Sequence, residues 1–139
     1  MSDHQRRTGG TLWARHVFRV SDVARSIAYY CDALGFTKDW VEEGRDPAIG
    51  QVSRNGVTLM LDARTYFPKA GAPGVVTLTL NDVPQRPALH ALHEELVAAS
   101  AKVTRAPFRV PWDAHVFEID IEDPDGNVLM FWGHMPADG

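Results

Sequence analysis

Strand-like alternation runs through most of this chain and is interrupted twice by apolar residues at helical spacing. Leu12 to Val20 reads as a first strand. Ser21 and Asp22 are suitable caps for a helix from Val23 to Leu34, with Ile27, Tyr30 and Leu34 on one stripe and Gly35 at its C-cap. Phe36 to Glu43 and Ala48 to Arg54 read as strands. Asn55-Gly56 is a hairpin turn and Val57 to Asp62 a fourth strand. After a stretch rich in proline and glycine, Val75 to Leu80 reads as a strand. Pro87 to Ser100 is a helix with Leu89, Leu92, Leu96 and Ala99 as its stripe. Lys102 to Ala106, His115 to Glu122 and Asn127 to Gly133 complete the strands. Phe108 to Ala114 reads as a loop, and Asp123-Pro124-Asp125-Gly126 as a turn.

The order is βαβββ, twice. Val20-Ser21-Asp22-Val23 is echoed by Leu80-Asn81-Asp82-Val83, and the segment Asn55 to Leu61 by Asp125 to Phe131. Each unit alone has a small core and an open sheet face. The predicted fold is α+β, with two βαβββ units forming a curved eight-stranded mixed sheet, a cup within and helices on its outer face. One domain is expected over 11–135. Its repeats span about 11–63 and 75–133, joined by a linker at 64–74, with flexible tails at 1–10 and 136–139.

Composition narrows the function classes. The 139 residues are 45% hydrophobic and 23% charged, with a formal net charge of -4. No basic footprint for nucleic acid is present. No apolar run is long enough to span a membrane, and Met1 to Gly10 lacks the apolar region of a secretory signal. Cys31 is the single cysteine, so no intrachain disulfide forms. It is read as a packing residue, and a cytoplasmic location is expected. No serine-hydrolase elbow, phosphate loop, C-x-x-C or H-E-x-x-H occurs.

Phe18-Arg19-Val20-Ser21-Asp22-Val23 with Ser26, Tyr29-Tyr30, Leu34-Gly35-Phe36, and Asp123 to Asn127 followed by Val128 to Phe131 resemble the vicinal-oxygen-chelate superfamily. It includes glyoxalase I, extradiol dioxygenases, and fosfomycin- and bleomycin-resistance proteins. The resemblance is specific for fold and weak for activity. It implies a divalent-metal site in the cup, with ligands on the first and last strands of each unit. Carried onto this chain, those positions hold Arg15, Met60, Val75 and Met130. A guanidinium offers no lone pair and a thioether is soft, so no metal and no cofactor are expected. His16 lies one residue from Arg15. A β-bulge or a shift of one residue brings it into the cup; otherwise it packs under the helix.

Strand parity then sorts a cup face: Arg15, Val17, Arg19, Gln51, Ser53, Thr58, Met60, Asp62, Val75, Thr77, Thr79, Glu118, Met130 and Trp132. Arg15 either pairs with Glu118 or Asp62 or clamps an anion. Trp112 either stacks on a planar ligand or anchors its loop, and Trp40 and Tyr66 are rim aromatics or packing residues. Glu118, Asp62 and His16 are the candidate acid–base residues, with a salt-bridged carboxylate as the alternative for Glu118. His90, His93 and Glu94 form a solvated helix face.

These readings favour a metal-free small-molecule-binding protein similar to the bleomycin-resistance branch. Relatives there lack the metal ligands, form strand-exchanged dimers and sequester a drug at the subunit interface. The resemblance implies a planar or aromatic ligand and a homodimer, with an antibiotic-resistance-like role. Its ligand-binding candidates are Arg15, Trp40, Met60, Asp62, Tyr66, Trp112, Glu118, Met130 and Trp132. The alternative is a lyase, isomerase, cyclase or dioxygenase. It is metal-free through Glu118, Asp62 or His16, or metal-dependent if the ligand register is shifted. A domain serving assembly alone is a third reading.

Overall fold

A computed structural model describes residues 10–137. The expected tails therefore lie outside the described residues, save Gly10 and residues 136–137. The elements are β1 (His16–Arg19), α1 (Val23–Asp32), β2 (Thr37–Val41), β3 (Ile49–Arg54), β4 (Val57–Asp62), β5 (Val75–Thr79), α2 (Leu89–Ala98), β6 (Lys102–Arg109), β7 (Phe117–Glu122) and β8 (Val128–Gly133). This is the expected α+β duplication of βαβββ. The eight strands divide four and four between two hydrogen-bonded sheets, ordered β1-β4-β3-β2 and β5-β8-β7-β6. In each, the first strand of the unit runs parallel to the last and the remaining pairs are antiparallel.

Local chemistry sets the boundaries. Asp22 is extended and its carboxylate accepts from the Arg25 N–H at 3.0 Å, capping α1. Gly35 ends that segment at φ +72°, and a Cβ there would sit 2.7 Å from an Arg54 guanidinium nitrogen. Glycine thus answers both the left-handed turn and the close approach. β1 is shorter than the expected strand from Leu12. Its partner β4 starts only at Val57, after the Asn55-Gly56 turn, and His16 already faces Leu59. Leu12 and Trp13 are left exposed. β6 is longer than expected and runs through Pro107 to Arg109. It is an edge strand with two register irregularities, where a missing N–H costs no ladder bond.

The two sheets turn the same kind of face toward each other. Phe18, Val52, Leu59 and Leu61 from the first join Ile119, Ile121, Leu129 and Phe131 from the second in one buried cluster, with apolar residues of both helices. A polar knot closes the seam. Asn127 is fully buried; its amide donates to the Arg19 carbonyl and to Asp123, and its oxygen accepts from the Gly74 N–H. Gly74 is pressed against Phe18, 2.8 Å from where a Cβ would sit. Tyr30 donates to Asp123 at 2.9 Å, and Tyr29 to the Glu122 carbonyl at 2.7 Å. Burial, followed by the charge of Asp123, drives the Tyr30 hydroxyl far above the ordinary phenol range. With the core shared on the helix side, the opposite face of each sheet looks outward.

Candidate functional site

The outward face of the second unit is set by its ladder. Thr77 faces Met130, Met130 faces Asp120, and Asp120 faces Arg105; in the next row Thr79, Trp132, Glu118 and Phe108 lie across from one another. Residues opposite in register point to the same side. Ile119, Ile121, Leu129 and Phe131 take the other parity and enter the core. The β6–β7 loop brings Trp112 over this face, with its ring 5.6 Å from that of Trp132 and 66% of the residue exposed.

Two acids sit beneath these aromatics. Glu118 is 5% exposed and Asp120 9% exposed. Glu118 accepts from the Trp132 indole N–H at 2.7 Å. Asp120 has a buried Oδ1 with no hydrogen-bond partner among the described residues, and Arg105 comes only to 3.9 Å of its Oδ2. The Arg105 guanidinium instead lies 3.6 Å over the Phe108 ring. Burial, then the hydrogen bond and charge of Glu118, push the Asp120 carboxyl up to about 7, against a weaker pull from Arg105.

The outward face of the first unit carries Val17, Met60 and Gln51 in one row. Most of its polar groups are satisfied, although the buried Nε of Arg19 has no hydrogen-bond partner among the described residues. Arg15 donates to Gln51 at 3.0 Å, Gln51 to Asp39 at 3.0 Å, and Ser53 to Asp39 at 2.8 Å. Arg15 thus pairs with Gln51 rather than with Glu118 or Asp62, and it lies 5.0 Å from the Trp13 ring. Asp62 is 1% exposed and accepts from the Arg64 and Phe67 N–H groups, so its oxygens order the start of the linker. His16 lies on the Phe18 side of β1, rings 4.8 Å apart, and burial lowers its pKa. Trp40 is 39% exposed beside Gln51. Tyr66 lines a groove of about 630 Å³ with His16, Val17, Phe67 and Val75, at the linker. The nine expected ligand-binding residues thus fall into two groups. Trp112, Glu118, Met130 and Trp132 share one face, while Arg15, Trp40, Met60, Asp62 and Tyr66 belong to the first unit and linker.

Asp120, Arg105 and Phe108 are functional candidates absent from the sequence reading. Asp120 was within reach, because Glu118-Ile119-Asp120-Ile121-Glu122 alternates strictly. Arg105 and Phe108 were not, because the irregularities around Pro107 break the parity of β6.

A family model for the glyoxalase/bleomycin resistance protein/dioxygenase superfamily matches residues 13–131. The chain belongs to this superfamily. The virulence protein STM3117 of Salmonella typhimurium is 25% identical over 114 residues, covering 81% of this chain and 77% of that one. Among solved structures, TioX from Micromonospora sp. ML1 superposes with a TM-score of 0.71 at 14% identity, covering 90% of this chain and 100% of the other. TnmS3, an antibiotic binding protein from Streptomyces sp. CB03234, gives 0.66 at 21% identity, with 94% and 99% covered. At these identities the superpositions bear on fold alone.

The superfamily's divalent metal can be tested against this chain's own donors. The corresponding positions offer an exposed guanidinium bonded to Gln51, two thioethers and the exposed isopropyl group of Val75. That set does not suit a hard divalent cation. Among the described residues, no group of three or more His, Cys, Asp or Glu side chains converges as a metal site. His90 and Glu94 pair at 2.9 Å on an exposed helix face. No described helix is long and apolar enough to cross a membrane.

Proposed function

We propose that this superfamily member binds a planar aromatic small molecule, without metal or cofactor, on the outward face of its second unit. The observation that carries the reading is Trp112. A large aromatic ring two-thirds exposed and tilted against Trp132, above buried polar groups, resembles an apolar wall with a few placed polar anchors. The antibiotic-binding role of TnmS3 supports extending this to sequestration of a drug-like compound. The reading includes a soluble protein in the cytoplasm and a homodimer. In the dimer a second copy lays its first-unit face, with Arg15, Met60 and Trp40, across the second-unit face to complete a cup.

The test is a tryptophan-fluorescence titration with flat aromatic probes, run beside light scattering to read the oligomeric state. Saturable quenching by a dimer, weakened about tenfold in Trp112→Ala, is the expected result. Unsaturable quenching, identical in the variant, rejects it. A second reading has one specific observation behind it: an acid held near 7 beside another carboxylate suits general acid–base catalysis. Mass spectrometry of a bound compound after prolonged incubation separates the two, since an enzyme consumes what a binding protein returns intact.

A further inference from the structure

We propose that Glu118 and Asp120 form the charged anchor of this face and that its ligand carries a protonated amine on a flat aromatic body. The inference rests on the reading above and names the ligand class that the reading leaves open. Three observations carry it. First, Asp120 is 9% exposed and its buried Oδ1 has no hydrogen-bond partner among the described residues, so an acceptor on this face lacks a donor. Second, the cation that could neutralise it is turned elsewhere. Arg105 stacks on Phe108 at 3.6 Å and stands 3.9 Å from Asp120. Third, Glu118 is held on this face by the Trp132 indole through Oε1 and shares a hydrogen bond with Asp120, so the two acids form one unit.

Every element packed around Asp120 is accounted for. β7 presents Glu118 on one side and Glu122 on the other, the latter held by Lys102 at 3.6 Å. β6 presents Arg105, while β8 and β5 present the uncharged Met130 and Thr77. Two carboxyls in hydrogen-bond reach resist double ionisation, so the empty face keeps a proton on Asp120 around neutrality. An ammonium group supplies what is missing. It donates to both acids, neutralises the second charge, and lies near the faces of Trp132 and Trp112, where cation–π attraction adds to stacking. The proton balance follows: neutral Asp120 gives up its proton to buffer and stays on the face as a carboxylate paired with the guest's ammonium, releasing up to one proton per guest. Binding therefore tightens as pH rises through neutrality.

The experiment is isothermal titration calorimetry of the full chain with an aminoacridine cation and with neutral acridone. Each is run one pH unit below and above neutrality, in buffers of different ionisation enthalpy. The aminoacridine should bind about tenfold tighter than acridone and release a proton. Asp120→Asn and Glu118→Gln should remove that preference and the proton release. Equal binding of both probes, indifferent to both variants, overturns the anchor and leaves the aromatic site standing. Binding of neither probe overturns both. Loss of both probes in Asp120→Asn, with a native circular dichroism spectrum, also overturns the anchor, because the acid would then shape the face rather than select charge.

Discussion

The two units repeat one topology, yet their outward faces leave different groups unsatisfied: a donor, Arg19 Nε, on the first and an acceptor, Asp120 Oδ1, on the second. On the first, Arg15, Gln51, Asp39 and Ser53 close a chain of hydrogen bonds, and both Asp62 oxygens serve the linker. On the second, a buried carboxylate oxygen has no partner among the described residues and a tryptophan stands in solvent. A buried acceptor without a donor gains most from a guest that donates, whereas a leftover donor needs a guest that accepts. The hairpin turns before β4 and β8 differ in the same way. Asn55 and Gly56 turn at φ 49° and 84°, and both are exposed. The turn before β8 is bound by Asp123, which accepts from the Asp125 and Asn127 N–H groups and from Tyr30 of the other unit. The backbone repeats while the labour is divided: the second unit both locks the seam and presents the unpaired acid beneath exposed aromatics.

The strongest way to break this comparison is at the turns. Asn127→Ala strips three hydrogen bonds from a fully buried side chain and orphans the Gly74 N–H and the Arg19 carbonyl. A loss of about 3 kcal/mol is expected in urea denaturation. Asn55→Ala at the exposed turn should cost about 1 kcal/mol, through left-handed strain alone. Equal losses would show that the turns are equivalent after all.

The faces come next. Trp132→Phe keeps an aromatic ring but removes the donor to Glu118, leaving a buried carboxylate oxygen bare, and should cost about 2 kcal/mol. Gln51→Ala in the first unit, on a half-buried residue, should cost about 1 kcal/mol or less. Asp120 gives the comparison a pH axis. Its folded pKa, about 7, lies above the ordinary 3.8. Between these values the folded state holds a proton that the unfolded chain has released, so stability falls as pH rises through that window. The slope is at most about 1.4 kcal/mol per pH unit. Asp120→Asn should flatten it and be the more stable protein above neutrality, as thermal melts across the window would read. A variant less stable than wild type at alkaline pH would mean that the carboxylate is compensated there.

The fold was legible because its signals are local: a capping Asp22, period-two alternation in β3, β4, β7 and β8, and two dense turns. The site was legible only by parity. Glu118, Met130 and Trp132 follow from alternation on regular strands. Arg105 and Phe108 do not, because a bulged edge strand resets which side each residue faces. That Asp62 orders the linker and that Arg15 turns to Gln51 could not be read either. Both depend on where a loop or a neighbouring strand places a donor in space, which no one-dimensional period encodes. His16 illustrates the narrowness of the margin: one position along β1 separates the outward face from the Phe18 side.

The smallest effect is expected where the units meet by charge. Arg54 at the end of β3 grips Glu95 of α2 with two bonds, 2.8 and 3.1 Å, while donating to the Leu34 carbonyl at 2.7 Å. The Glu95 side chain is 49% exposed, so solvent screens most of the ion pair, and Glu95→Gln should cost about 0.5 kcal/mol. That cost should vanish at about 1 M salt, where the screening length falls to about 3 Å. Arg54→Ala should cost about 1.5 kcal/mol and keep most of it in salt, because it also frees a carbonyl at the end of α1. If the two variants cost the same and respond to salt alike, the junction is held by charge between the units. If they separate as expected, Arg54 acts first as a cap within its own unit. The seam then rests on the buried Asn127 knot and the shared core rather than on surface charge.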